Sequence, residues 1–370
     1  MNARLLIEQL LATAAIDING RASYDIQVND ERLYKRVLNE GSIGLGEAYM
    51  DGWWDCKQPD EFLYRILKAD LDKKVKSNIQ SVLLAISAKI FNRQSVKRAF
   101  NVAKKHYNLG NDLFEHMLDP YMQYSCAYWK NASTLDQAQE QKLDLICRKL
   151  KLSTGLSVLD IGCGWGGFAQ YAAQNYGVTV QGITISTAQA QLAAERCAGL
   201  PVTISIQDYR SIDDQFDRIV SIGMFEHVGP KNYQSFMHVA HRNLKDNGIF
   251  LLHTIGGTEE EIATDPWIDR YIFPNGVIPV PHQLCLAFDQ LFILQDWHNF
   301  GHYYDQTLMA WLSRFKLAWP MLKNEYQPSF YRMWEYYLSI CAAAFRAEKN
   351  HLWQIVLTKK NYNMHYESVR

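Results

Sequence analysis

Val158-Leu159-Asp160-Ile161-Gly162-Cys163-Gly164-Trp165-Gly166-Gly167 (VLDIGCGWGG) reads as an apolar strand that ends on an acid and opens at once into a glycine-rich turn. Gly162, Gly164 and Gly167 fit G-x-G-x-x-G. In that pattern the missing side chains let the backbone turn tightly, approach a nucleotide-like ligand and lead into a close-packed helix, expected here over residues 168–175. Taken alone the pattern is weak. Its bland reading is a turn that merely packs a helix on a strand, with Asp160 as the cap. A dinucleotide fold wants an acid about 20 residues past the first glycine for the ribose hydroxyls. This chain has Gln181-Gly182-Ile183-Thr184 there. An S-adenosylmethionine site instead needs a carboxylate just before the glycines and a polar residue after a later strand. Asp160 and Asp208 stand in those places.

Working outward, apolar strands alternate with helical stretches from about residue 105 onward. Strands are expected at 157–161, 179–183, 203–207, 218–223 and 249–253. This alternation implies a mainly parallel sheet with helices on both faces and a ligand site beyond the carboxyl ends of its strands. Residues 256–290 carry Pro266, Pro274, Pro279 and Pro281. The prolines exclude a regular helix over much of the stretch, which reads as a lid. Before the alternating region, residues 1–70 read as a helix, a turn at Asn19-Gly20, a short strand at 24–28 and structural turns in the glycine-rich patch 41–46. That patch lacks the Gly-Lys-Ser/Thr ending of a phosphate loop. The aromatics of the last third, from Trp311 through Tyr337, fall at helical spacing and fit core packing, with room for some to line an apolar substrate tunnel.

At 370 residues the chain can bury one large core or two unequal ones. Its seven cysteines form no C-x-x-C pair and no zinc spacing, which predicts free thiols in a reducing compartment and no metal site. The first apolar stretch contains Glu8 and lacks a basic flank, so no signal peptide is expected, and no run reaches the length of a spanning helix. A cytoplasmic protein is expected. The net charge of −1 conceals an asymmetry, because residues 73–105 hold nine Lys/Arg and no acid. Within them Ile79, Val82, Leu83, Ile86 and Ile90 recur at helical spacing. The segment reads equally as a basic amphipathic helix that docks on anionic lipid or as a solvated helix packed on its own domain. No nucleic-acid-binding motif accompanies the charge.

Four segments offer reactive groups: residues 123–129, 223–227, 252–256 and 301–305. Glu226 and His253 are expected on the ligand side of adjacent strand ends. Their bland readings are a helix cap and a satisfied strand-end histidine, and Cys126 alone reads as a small buried hydrophobe.

Seven stretches together carry a resemblance. They are residues 41–54 (GSIGLGEAYMDGWW), 106–114 (HYNLGNDLF), 123–129 (QYSCAYW), 158–167 (VLDIGCGWGG), 221–229 (SIGMFEHVG), 252–256 (LHTIG) and 271–276 (YIFPNG). Over nearly its full length the chain resembles the bacterial cyclopropane-fatty-acyl-phospholipid synthases, and the N-terminal match points to these rather than to the shorter mycolic-acid relatives. The resemblance implies a Rossmann-like α/β fold with a seven-stranded methyltransferase sheet. A smaller N-terminal α+β domain is expected over residues 1–105, and a catalytic domain over 106–370 with the lid at 256–290.

It further implies that an acyl-chain alkene takes the sulfonium methyl and that a bound bicarbonate removes a proton to close the cyclopropane ring. The bicarbonate pocket maps onto Cys126, Glu226, His253, the backbone of Ile255, and Tyr304. The donors in this reading are the Ile255 amide, the Tyr304 hydroxyl and His253, while Glu226 orients His253 or accepts the bicarbonate hydroxyl. The cofactor side maps onto Tyr124, Ser125, Asp160, Gly162, Gly164, Gly167, Thr184, Gln189, Asp208 and Tyr209. Peripheral attachment to the inner membrane and a homodimer are also implied. Two alternatives stay open on the residues alone: another S-adenosylmethionine-dependent methyltransferase of lipids or small molecules, and a non-catalytic lipid-binding or dimer scaffold.

Overall fold

The computed structural model describes residues 3–71, 110–260 and 264–370. The basic segment, and with it the expected domain boundary between residues 105 and 106, lies outside the described residues. The chain packs as two units, each discontinuous in sequence. Among the described residues one takes in 3–71, 264–275 and 304–350, and the other 110–260, 276–303 and 351–370.

The second unit is built on a seven-stranded sheet: β1 (Ser157–Ile161), β2 (Thr179–Thr184), β3 (Val202–Ile206), β4 (Phe216–Ile222), β5 (Leu244–Gly257), β6 (Phe292–Asn299) and β7 (Asn350–Lys359). Their spatial order is β3-β2-β1-β4-β5-β7-β6. Strands β3 through β5 pair in parallel, and β6 runs antiparallel to β7. The five strands expected from sequence all form, with ends differing by a few residues. The added pair, β6 and β7, makes the sheet mixed.

Period-two alternation explains why these segments are strands buried on both faces. Leu159, Ile161, Ile219, Phe250, Leu252, Ile355 and Leu357 enter one core with Phe236 and Met237 of the Tyr233–Asn243 helix and Leu284 of the Pro281–Phe288 helix. Their neighbours Val158, Val220, Ile249, Leu251 and Val356 enter the opposite core. There they meet Leu143 and Ile146 of the Leu135–Lys149 helix and Phe168, Ala169 and Ala172 of the Gly167–Tyr176 helix. Thr134 caps the Leu135–Lys149 helix by accepting from the Gln137 amide at 3.3 Å, with Asp136 in its first turn and Arg148 and Lys149 in its last. The order reverses at β1 and β4, the place where open α/β sheets form a ligand crevice.

The other unit is mainly helical: Ala3–Ala12, Arg32–Glu40, Ser42–Met50, Pro59–Lys68, Pro266–Tyr271 and Phe330–Arg346, with most of His302–Leu322. Two expectations are corrected here. The glycine-rich patch forms a helix rather than turns, because its glycines let neighbours close in. A side chain at Gly44 would meet the Arg36 carbonyl oxygen at 2.6 Å, and one at Gly46 the Trp267 ring at 2.5 Å. Of the prolines after β5, Pro274 and Pro279 lie in non-helical chain as expected, but two of the four start short helices instead of excluding them. Pro266 and Pro281 stand in the first turns of their helices, where no amide donor is needed. The strand expected at 24–28 shrinks to Gln27–Val28, paired with Trp54–Asp55. The late aromatics stack on one another, Phe315 on Tyr331 and Phe330 on Trp334, as core packing requires.

Candidate active site

The carboxyl end of β1 sets the floor. Asp160 is buried, and the chain then turns through Gly162, Gly164 and Gly166 at positive φ. The amides of Gly162 and Cys163 both donate to the Ile183 carbonyl, at 3.0 and 2.9 Å, which locks the turn to β2. The three fingerprint glycines then separate by role. A side chain at Gly162 would strike Met224 at 2.7 Å, and one at Gly167 would overlap the Tyr121 carbonyl oxygen, so these two serve close packing. Around Gly164 nothing lies within 4 Å of an added Cβ. That open space beside a left-handed residue is what a ligand approaching the backbone needs.

A buried polar layer supports the turn from below. Asp119 accepts the Tyr121 and Gln123 amides, each at 2.8 Å, and Gln139 donates to the Ser125 carbonyl at 2.9 Å. Lys142, on the same helix as Gln139, donates to Gln123 Oε1 at 2.5 Å and to Ser125 Oγ at 2.9 Å. These bonds fix the irregular 123–126 segment, with Cys126 fully buried and the Tyr124 ring edge-on to Phe114. Ser125 comes within 3.8 Å of where a side chain on Gly223 would stand, so the segment adjoins the end of β4. Burial raises the Asp160 carboxyl to about 7 against the lowering pull of the Lys142 cation. Burial likewise lowers Lys142 to about 8.

The ends of β4 and β5 bring Glu226 and His253 close. Ile222 pairs with His253 in the ladder, and the Gly223 amide donates to the His253 carbonyl at 2.9 Å. Glu226 follows in the Phe225–His227 turn, where Oε1 accepts the Ile255 amide at 2.7 Å. Burial lifts its carboxyl to about 7, opposed by that backbone bond. His253 is fully buried, and burial, with Lys142 and Lys149 adding to it, holds it well below the ordinary histidine range and therefore neutral. Gln354 Nε2 lies 3.3 Å from His253 Nδ1. With the amide donating, Nδ1 accepts and the ring proton sits on Nε2. Among the described residues neither His253 Nε2 nor Glu226 Oε2 has a hydrogen-bond partner, and the same holds for Asp160 Oδ1. Unpartnered buried polar atoms are costly, and although others occur elsewhere in the molecule, these three lie at the ends of neighbouring strands.

Two details differ from the sequence expectation. The Ile255 amide, expected to face an anion, is engaged by Glu226, and the residue orienting His253 is Gln354 rather than Glu226. On the cofactor side, the Thr184 hydroxyl donates to Gln189 Oε1 at 3.2 Å, at the mouth of the helix capped by Ser186. Asp208 is turned to local use, accepting from the Arg210 amide at 2.9 Å and its guanidinium at 3.2 Å. The Tyr209 ring packs edge-on against Phe236 in the core. Tyr304 belongs to the other unit, where its ring lies on Phe345 and against Trp311.

Sequence reasoning missed Gln139, Lys142 and Gln354. Gln354 did leave a signal, a lone amide inside the apolar run Trp353-Gln354-Ile355-Val356-Leu357. Lys142 did not, since a lysine every few residues is ordinary on a charged helix.

The sheet order, the glycine turn and the acid before it define an S-adenosylmethionine-dependent methyltransferase. Residues 94–355 match the mycolic acid cyclopropane synthetase family, and the chain belongs to it. It is 55% identical over 354 residues to the cyclopropane-fatty-acyl-phospholipid synthase of Escherichia coli K12, covering 96% of this chain and 93% of that protein. It is also 30% identical to a tuberculostearic acid methyltransferase of Mycobacterium tuberculosis, over 96% of this chain and 88% of that one. Among solved structures, the mycolic acid cyclopropane synthase CmaA1 complexed with SAH and CTAB superposes with a TM-score of 0.67 at 32% identity. That match covers 70% of this chain and 98% of the other. Coclaurine N-methyltransferase, at 21% identity and a TM-score of 0.67 over 85% of this chain and 97% of that one, shares the fold.

Proposed function

We propose that the protein cyclopropanates cis-unsaturated acyl chains of membrane phospholipids, with S-adenosylmethionine as methylene donor and a bound bicarbonate as base. The observation that carries the reading is the pair of unpartnered buried atoms, Glu226 Oε2 and His253 Nε2, at neighbouring strand ends. An alkene is a poor nucleophile, so the donor must supply a methyl already activated on a sulfonium. The alkene π electrons form the new carbon–carbon bond, and the carbon–sulfur pair leaves with sulfur. A cationic carbon is left in the acyl chain. Loss of one proton from the added methyl lets its C–H electrons close the three-membered ring.

This chain's residues suit that chemistry. A neutral histidine offering Nε2–H and a carboxylate offering a free oxygen fit an ion that both accepts and donates hydrogen bonds, as bicarbonate does. Bicarbonate bound there would supply the base. Glu226 is itself fixed by the Ile255 amide and His253 by Gln354, so neither must reorganise as charge develops. Cys126 walls the same segment as Ser125. Tyr304 stays a candidate on the resemblance alone. On the donor side, Asp160, the Gly164 space, Thr184 and Gln189 are the residues proposed to hold S-adenosylmethionine, joined by Tyr124, Ser125, Gly162, Gly167, Asp208 and Tyr209.

The phospholipid substrate rests on the similarity to the Escherichia coli enzyme, which covers 96% of this chain where the mycolic-acid structure covers 70%. No helix among the described residues is long and apolar enough to cross a membrane. Surface docking is proposed for the basic residues 73–98, with a homodimer as the assembly. Two measurements test the reading. Incubation with labelled S-adenosylmethionine and unsaturated phospholipid vesicles, followed by mass analysis, is expected to show acyl chains that gain one CH₂ and lose the alkene. Simple methylation with the alkene retained would overturn it. Removing dissolved bicarbonate is expected to slow turnover reversibly, and indifference to it would refute that base.

A further inference from the structure

Lys142 stands out among the groups that the proposed chemistry leaves unused. It is a fully buried lysine on the Leu135–Lys149 helix, and its two hydrogen-bond acceptors, Gln123 Oε1 and Ser125 Oγ, are uncharged. Burying an ammonium costs several kcal/mol unless something compensates, so its retention needs a reason. The charged and titratable groups that face it are Asp119, Asp160 and Cys126, with His253 also within its field. Of the carboxylates, Asp119 is already satisfied by the amides of Tyr121 and Gln123. Asp160, in contrast, keeps Oδ1 without a partner among the described residues, and Lys142 is the attractive charge that acts on it there.

We propose that Lys142 is a positioning residue of the methyl-donor site, fixing residues 123–125 through two hydrogen bonds and supplying a positive charge that opposes protonation of the buried Asp160 carboxyl beside the glycine turn. The proposal rests on the methyltransferase reading and adds a residue to it. A ligand whose methionine end carries an ammonium binds an ionised Asp160 and not a protonated one. The same cation holds Ser125 against the end of β4, so donor turn and acceptor segment share one anchor.

The test is calorimetric titration of the full chain with S-adenosylhomocysteine across pH, for wild type and Lys142→Met. Thermal unfolding verifies that each variant is folded. Removing the ammonium lets burial drive Asp160 further toward its neutral form. The affinity at neutral pH should fall by roughly tenfold or more, and the pH below which binding is lost should move upward by about one unit. A role in packing alone would lower the melting temperature and leave the pH profile where it was. A folded Lys142→Met variant with unchanged affinity and profile overturns the proposal. If that variant does not fold, Ser125→Ala removes one acceptor of the ammonium and should shift the profile the same way by a smaller amount. An unshifted Ser125→Ala profile then counts against the idea. Wild-type protein that fails to bind S-adenosylhomocysteine at all would instead strike the methyltransferase reading.

Discussion

The Leu135–Lys149 helix buries two lysines, Lys142 at its middle and Lys149 at its last residue, and the two settle their charge in opposite ways. Lys149 lies 3.3 Å from Asp296 and 3.1 Å from His298 Nδ1. Asp296 is in turn gripped by Arg370 through two bonds of 2.6 Å and by Ser368 at 3.2 Å. Burial pushes the Asp296 carboxyl up, but Arg370 and Lys149 more than offset that, and it ends below its ordinary value. Around Lys142 no such closed network exists among the described residues. The acceptors are neutral, and the nearby carboxylate, glutamate and imidazole each keep an atom without a partner there. The surroundings of Lys149 are satisfied and structural. Those of Lys142 carry a debt that a ligand can settle, and that asymmetry marks the site more sharply than burial or charge does alone.

The largest expected effect tests the open space at Gly164, on the unsatisfied side of that contrast. Gly164→Val should abolish binding of S-adenosylmethionine, read by calorimetry. The left-handed backbone there should cost the fold only about 1–2 kcal/mol. Gly167→Ala should do the reverse and destabilise the protein through overlap with the Tyr121 carbonyl. Normal affinity in Gly164→Val would make the whole turn structural and dissolve the contrast.

Next in size, Glu226→Gln or His253→Ala should slow turnover by roughly 10²-fold while leaving cofactor affinity nearly intact. Weak binding with full turnover at saturating cofactor would contradict the assignment. Beside Lys149, Asp296→Ala should cost about 3 kcal/mol in urea unfolding, because it strands a buried lysine, and should leave S-adenosylhomocysteine affinity unchanged. Lost affinity without lost stability would put the two lysines on the same footing.

The smallest effect is a slope. Glu226 and Asp160 have folded values of about 7, above the 4.5 and 3.8 of the free side chains. The folded state therefore holds protons that the unfolded chain has released. Their contribution to stability is present at low pH and lost as pH rises toward 7, by at most about 1.4 kcal/mol per pH unit for each group. Denaturation curves for Glu226→Gln should show a flatter decline over that window than wild type.

How much of this was legible before folding follows from the range of the signals. The strand-end acid and its glycines are local, and the structure puts them where their spacing implied. Glu226 and His253 were readable because each follows an apolar run that could only be a strand. Gln354 and Lys142 act across 101 and 17 to 19 residues of chain, on partners that no periodicity connects to them. The glycine patch at 41–46 was misread for the same reason. Its glycines answer to Arg36 and Trp267, one of them more than 200 positions away, rather than to a local turn.

The place of β7 has a consequence for synthesis. Residues 350–359 lie between β5 and β6, both of which leave the ribosome earlier. Until β7 is made, β5 ends the parallel sheet with an open edge and β6 has no strand to pair with. Trp353 is then absent from its place over Gly256, and Gln354 from beside His253. A nascent chain can thus assemble the donor turn early, but its histidine has no fixed tautomer until these late residues arrive.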